Sequence, residues 1–170
     1  ARGSGRYFFR GVGRGFVRRH VGCKGIPQRV ENRYTLPPTN MAESKGRILI
    51  VDDEANARAA LSEILREEGY ETETAADGFK ALGKLGSFAP DLILTDLKMP
   101  GLDGIGLLHE ARQASPTSVV VVMTAFGTID SAVEAIKKGA ENYLTKPLDP
   151  VTLVAVVERA MEKARLLAET

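Results

Sequence analysis

Residues 91–101 read DLILTDLKMPG. Four apolar or β-prone residues, Leu92 to Thr95, lead into Asp96, and the chain then breaks into a Met-Pro-Gly turn. A run apolar at consecutive positions suits a strand covered on both faces, as in a parallel sheet. An ionisable group at the end of such a strand needs a reason. It could cap a turn, bind a metal or act as a nucleophile.

The sequence on either side supports the parallel-sheet reading. RILIVD (47–52) is a second continuous apolar run, and SVVVVMT (118–124) is the most β-prone stretch of the chain. YETETA (70–75) alternates and suits a strand nearer the sheet edge; ENYLT (141–145) makes a fifth. Between these runs the apolar spacing changes to that of helices. Ala57, Leu61, Ile64 and Leu65 share a face before Gly69, and short helices are expected at 78–85 and 104–113. Ile129, Ala132, Val133 and Ile136 mark a fourth helix stopped by Gly139. A stripe from Leu153 through Val157, Ala160, Met161 and Ala164 to Leu167 follows Pro150. Five βα units in this order predict an α/β fold, a doubly wound parallel sheet with helices on both faces.

In such folds ligands bind beyond the carboxyl ends of the strands. Asp52 and Asp53 end the first strand, Asp96 the third and Thr124 the fourth, while Lys146 follows the fifth. Singly, each has an ordinary explanation: a helix cap, a turn residue, a strand-end hydroxyl, a surface amine. Their joint position on one rim is much harder to explain that way. Clustered carboxylates repel, and a hard divalent cation such as Mg²⁺ would relieve the repulsion while keeping positions for water and phosphate. The Asp96 carboxylate could then attack a phosphoryl group, with Lys146 and the Thr124 hydroxyl facing its oxygens.

Composition excludes several other classes. The 170 residues contain one cysteine, Cys23, so no internal disulfide forms, and two distant histidines, His20 and His109, which make a poor zinc site. No apolar run approaches membrane-spanning length. The net charge of +1 conceals a division. Residues 1–40 hold nine Lys/Arg against one Glu, and the remainder holds 14 bases against 21 acids. The boundary lies near Met41. Residues 1–45 form a Gly/Arg-rich arm with no helical or strand period, expected to be disordered. It reads best as a leader ahead of a natural start at Met41. Interleaved Tyr7, Phe8, Phe9 and Phe16 would also suit a nucleic-acid arm, which is the weaker reading.

ILIVDDE, DLILTDLKMPGLDG, VVVMTAFGT and AENYLTKPL together closely resemble the receiver domain of bacterial two-component response regulators, over about residues 46–165. TAFGTIDSAVEAIKKGAENYLTKPLDPVTL looks most like the nitrogen-regulatory class that activates sigma-54 transcription. The resemblance implies a flavodoxin-like sheet of order 2-1-3-4-5 and a cytoplasmic bacterial protein. It implies phosphorylation of Asp96 by a sensor histidine kinase, with Mg²⁺ held by Asp52, Asp53, Asp96 and the Lys98 carbonyl. Thr124, the Ala125 amide and Lys146 would contact the phosphoryl group, Thr124 and Tyr143 would form a switch pair, and the Lys146–Pro147 bond would be cis. A homodimer through the fourth and fifth helices is also expected.

The chain would not be a conventional enzyme. It would take phosphate from phosphohistidine and slowly hydrolyse its own aspartyl phosphate, with Lys98 and Phe126 flanking the path of attacking water. A phosphatase with an Asp nucleophile would need a second acid two residues on, where Lys98 stands. Residues 166–170 resemble the start of a linker to an ATPase and DNA-binding output, so a fragment of a longer regulator is expected. A stand-alone phosphorelay receiver is the alternative.

Overall fold

The computed structural model describes residues 6–10, 16–20, 43–125 and 129–170. The chain separates into two units, Ala1–Met41 and Ala42–Thr170.

In the first unit, β1 (Arg6–Arg10) and β2 (Phe16–His20) pair antiparallel, Arg6 opposite His20 and Arg10 opposite Phe16. These ten residues lie within the arm expected to be disordered. The aromatic and β-branched residues of RYFFR and FVRRH favour extended backbone. The remainder of residues 1–42 lies outside the described residues.

The second unit runs β3 (Arg47–Val51), α1 (Ala55–Glu67), β4 (Glu71–Ala75), α2 (Gly78–Phe88), β5 (Leu92–Asp96), α3 (Gly104–Ala114), β6 (Val119–Thr124), α4 (Ile129–Lys137), β7 (Asn142–Thr145) and α5 (Pro150–Glu169). Its five strands lie in the order β4-β3-β5-β6-β7, every neighbouring pair parallel. Numbered within this unit, that is 2-1-3-4-5, the expected order. α5 continues unbroken past residue 165, where a linker is expected to begin.

The apolar runs are continuous because both faces of the sheet are covered. Ile48, Ile50, Leu92, Leu94, Val121, Met123 and Leu144 face one way, against Leu61 and Leu65 of α1 and Leu153, Val157 and Ala160 of α5. The alternate residues Leu49, Val51, Ile93, Val120 and Val122 face α2, α3 and Ala135 of α4. Every residue of β5 and β6 is buried. Each fully buried Leu, Ile or Val contributes roughly 1.5–3 kcal/mol. The summed burial far exceeds what a few ionisable groups at the rim can cost.

Three aspartates define where helices begin. Asp77, Asp103 and Asp149 cap α2, α3 and α5, their carboxylates accepting from Lys80 N (2.8 Å), Gly106 N (2.8 Å) and Thr152 N (3.0 Å). α2 runs one turn past the expected Leu85, because the Phe88 side chain is buried against the sheet. It ends at Ala89, whose left-handed backbone (φ 48°) lets its N–H donate to the Leu85 carbonyl.

Candidate functional site

Because all five strands run the same way, their carboxyl ends share one edge, and the ionisable residues gather there. Asp52, immediately after β3, is fully buried; Asp96, ending β5, is buried; Asp53 is exposed. One carboxylate oxygen from each of the three lies within 4.8 Å of the others. Thr124 ends β6 and is buried, and its carbonyl accepts the Lys146 N–H at 2.8 Å. That bond extends the β6–β7 ladder and brings Lys146 to the acids. Its Nζ donates to Asp52 Oδ2 at 2.6 Å and to Asp96 Oδ2 at 3.3 Å. The Lys146–Pro147 bond is cis.

The remaining carboxylate oxygens meet main-chain donors. Glu54 N–H donates to Asp52 Oδ1 (2.9 Å), and Lys98 N–H to Asp96 Oδ1 (3.3 Å). The possibility that Asp52 or Asp53 merely caps the first helix is not realised: Glu54 occupies the N-cap of α1 and makes no side-chain cap. Burial raises the Asp96 pKa above the usual carboxylate value; Lys146 opposes the shift and Asp52 reinforces it. For Lys146, burial works against the ammonium, but hydrogen bonds and charge from Asp52 and Asp96 more than offset it and hold its pKa above the usual lysine value. A single ammonium therefore balances two buried acids, with a third acid open to solvent beside them.

This donor set fits a hard divalent cation. Three carboxylates supply oxygen ligands, Asp53 gives access from solvent, and Lys146 engages only the Oδ2 atoms of the two buried acids. Mg²⁺ is favoured by few carboxylates and retained waters.

Thr124 and Tyr143, expected to form a switch pair, lie on one face. Val122 pairs with Tyr143 and Thr124 with Thr145, so strand alternation puts Thr124 and Tyr143 on the side of the sheet facing α4. Thr124 is buried, whereas Tyr143 is 43% exposed. Ala125 is exposed at the rim; Phe126 lies outside the described residues.

Two supporting residues were not singled out from the sequence. Arg58 of α1 donates from Nη1 to the Asp52 carbonyl at 2.6 Å, bracing the main chain of the buried acid. Gly104, the first residue of α3, lies directly against β5. A Cβ there would overlap the Asp96 carbonyl oxygen and come within 2.8 Å of Leu97 Cα. MPGLDG gives a local hint of a tight turn, but the close approach to Asp96 exists only in the folded chain. Gly104→Ala should cost about 1–3 kcal/mol, as overpacking does. Chemical denaturation checks this, and a loss below roughly 0.5 kcal/mol would show that the contact relaxes easily.

No helix among the described residues is long and apolar enough to cross a membrane.

Comparison with known proteins gives the same picture. The response regulator receiver domain pattern matches residues 48–158. Regulatory protein AtoC of Escherichia coli (strain K12) is 42% identical over 116 residues, 68% of this chain and 25% of AtoC. DNA-binding transcriptional regulator NtrC of Salmonella typhimurium (strain LT2) is 40% identical over 117 residues, 69% of this chain and 25% of NtrC. The chain thus spans about a quarter of the length of these relatives. Among solved structures, the beryllofluoride-activated NtrC4 receiver domain dimer superposes with a TM-score of 0.66 at 39% identity, covering 69% of this chain and 98% of that one. Rim geometry, sheet order and sequence likeness converge: this chain belongs to the response regulator receiver domain family of two-component systems, and within it is related to NtrC and other regulators of the sigma-54 activator type.

Proposed function

We propose that this receiver accepts a phosphoryl group on Asp96 from the phosphohistidine of a sensor histidine kinase. The observation that carries this reading is the convergence of Asp52, Asp53 and Asp96 within 4.8 Å, with Lys146 bonded to both buried members. An Asp96 carboxylate oxygen attacks phosphorus, the histidine N–P bond breaks, and the imidazole leaves with the bonding electrons. Asp52, Asp53, Asp96 and the Lys98 carbonyl would hold Mg²⁺, which when bound neutralises charge on the phosphoryl oxygens. Lys146 faces the same oxygens from the other side, and the Thr124 hydroxyl and Ala125 amide complete the donor set.

Drawing Thr124 toward the phosphoryl group opens space on the α4 side of the sheet, into which the partly exposed Tyr143 ring can turn. The equilibrium between the two ring positions would pass the signal to the α4–α5 surface without a new covalent link. The chain's own chemistry is confined to taking phosphate and slowly losing it. Ile129, Val133 and Ile136 of α4, together with Tyr143 and Val151, are exposed apolar residues and support a homodimer over this region. The names of the relatives support an output in transcription regulation.

Incubation with acetyl phosphate and Mg²⁺ should load about one phosphoryl group per chain as an acyl phosphate cleaved by hydroxylamine, the product expected of a carboxylate nucleophile. A hydroxylamine-stable adduct would contradict the assignment to a carboxylate.

Metal binding has its own test. A cation that binds only the folded chain stabilises it by about 2.7 kcal/mol at a hundredfold excess over Kd. Millimolar Mg²⁺ should therefore raise Tm by several degrees. Asp53→Asn, at an exposed position, should fold normally and lose most of that rise, read by differential scanning fluorimetry. A full Mg²⁺ shift in Asp53→Asn would remove Asp53 from the ligand set.

A further inference from the structure

α4 is weakly anchored by side-chain burial. Its buried residues are two alanines, Ala132 and Ala135, while its larger apolar side chains Ile129, Val133 and Ile136 are exposed. Alanines bury little area, so other contacts must fix where this helix lies.

One such contact comes from α3. Arg112 donates from Nη1 to the Lys138 carbonyl at 3.2 Å, at the end of α4 where carbonyls lack helical partners. Its guanidinium fills the space above Gly139, where a Cβ would overlap Nη1. Gly139 also has φ 107°, a backbone that favours glycine, and its N–H donates to the Ile136 carbonyl at 3.0 Å in closing the helix. The missing side chain thus serves two purposes: it permits the turn and admits the arginine. A cation here also meets the negative end of the helix dipole.

The other end of α3 lies at the phosphorylation site, where Gly104 contacts the Asp96–Leu97 main chain. Gly104 and Arg112 are about 12 Å apart along a rise of 1.5 Å per residue. α3 is therefore a short rigid element reaching from the main chain of the acceptor strand to the carboxyl end of α4.

We propose that Arg112 is a positioning residue that pins the carboxyl end of α4 to α3. Rearrangement of α4 after Asp96 phosphorylation is then a swing of its amino-terminal turns about a fixed end. This rests on Asp96 being the acceptor, and the test separates the two claims.

Hydrogen exchange is measured on the whole chain and on Arg112→Ala, each with and without acetyl phosphate and Mg²⁺, with phosphorylation followed by intact mass. Arg112 is exposed, so the substitution leaves the core intact. Without phosphodonor, the Lys138, Gly139 and Ala140 amides should exchange about 2–5-fold faster in Arg112→Ala, the range expected for an exposed helix-end cation. Amides of α1 and α5 should not change. In the phosphorylated parent chain, exchange should change over residues 129–134 and stay constant over 138–140; in phosphorylated Arg112→Ala the change should spread to 138–140. Unaltered exchange at 138–140 in the unphosphorylated variant overturns the pin. Equal change at both ends of α4 in the phosphorylated parent chain overturns the fixed-end swing. Absence of label at Asp96 counts against the acceptor assignment and the swing built on it, while the unphosphorylated comparison still decides the pin.

Discussion

Asp96→Asn should abolish phosphoryl labelling and, in metal-free buffer, make the protein more stable. The first effect follows from chemistry: an amide is neither an adequate nucleophile nor able to form the acyl phosphate. The second follows from the fold. Asp96 is buried beside the fully buried Asp52, and its charged form is disfavoured by burial and by that neighbour, with Lys146 as the main compensation. Asparagine fills the same space without the charge, leaving Lys146 wholly to Asp52. A gain of about 1 kcal/mol, or roughly 3–6 °C in Tm, is expected. A variant both inactive and markedly less stable would mean that Asp96 serves the fold, and that its loss of labelling reflects damage.

Lys146→Ala should act in the opposite direction. The ammonium is bonded to both buried acids, and removing it leaves Asp52 with no salt-bridge partner among the described residues in the absence of metal. Breaking a buried pair from one side costs about 3–5 kcal/mol, and the partial exposure of Lys146 reduces this to about 2–3 kcal/mol. Saturating Mg²⁺ should restore most of it, because a cation among the same carboxylates can replace the lost charge. Even so restored, the protein should take label without transmitting the switch to α4 and Tyr143. Because the Lys146 pKa is held above the ordinary 10.5, its charge is present below that value and is lost as pH rises through the folded-state pKa, while at the acid end protonation of Asp96, whose pKa is raised, ends its share of the pairing. The comparison therefore belongs near neutrality. Urea unfolding with and without Mg²⁺ reads it. A loss under about 0.5 kcal/mol in metal-free buffer would show that Lys146 is not what balances the acids.

The parallel sheet was legible because burial on both faces writes itself into consecutive residues, as in LILTD and VVVVMT. The site was legible for a related reason. In a parallel sheet the last residue of every strand falls on one edge, so placing Asp52, Asp96, Thr124 and Lys146 on strand ends already placed them together. Features that depend on contact between distant segments were not. The reach of Arg58 to the Asp52 carbonyl and the contact of Gly104 with the Asp96 main chain require the packed helices. The extra turn of α2 depends on the sheet surface that Phe88 meets. The partial exposure of Tyr143 depends on what packs beside β7, and no local pattern in ENYLT specifies it.

The central claim is that magnesium held by the rim acids readies one of them, Asp96, to take phosphate. Peptide-level mapping of the modified residue after acetyl phosphate treatment, with Mg²⁺ and then with the metal chelated, tests it most directly. The account predicts modification on the peptide containing Asp96 in the first sample and none in the second. Modification that survives chelation, or that maps to any other residue, would contradict it.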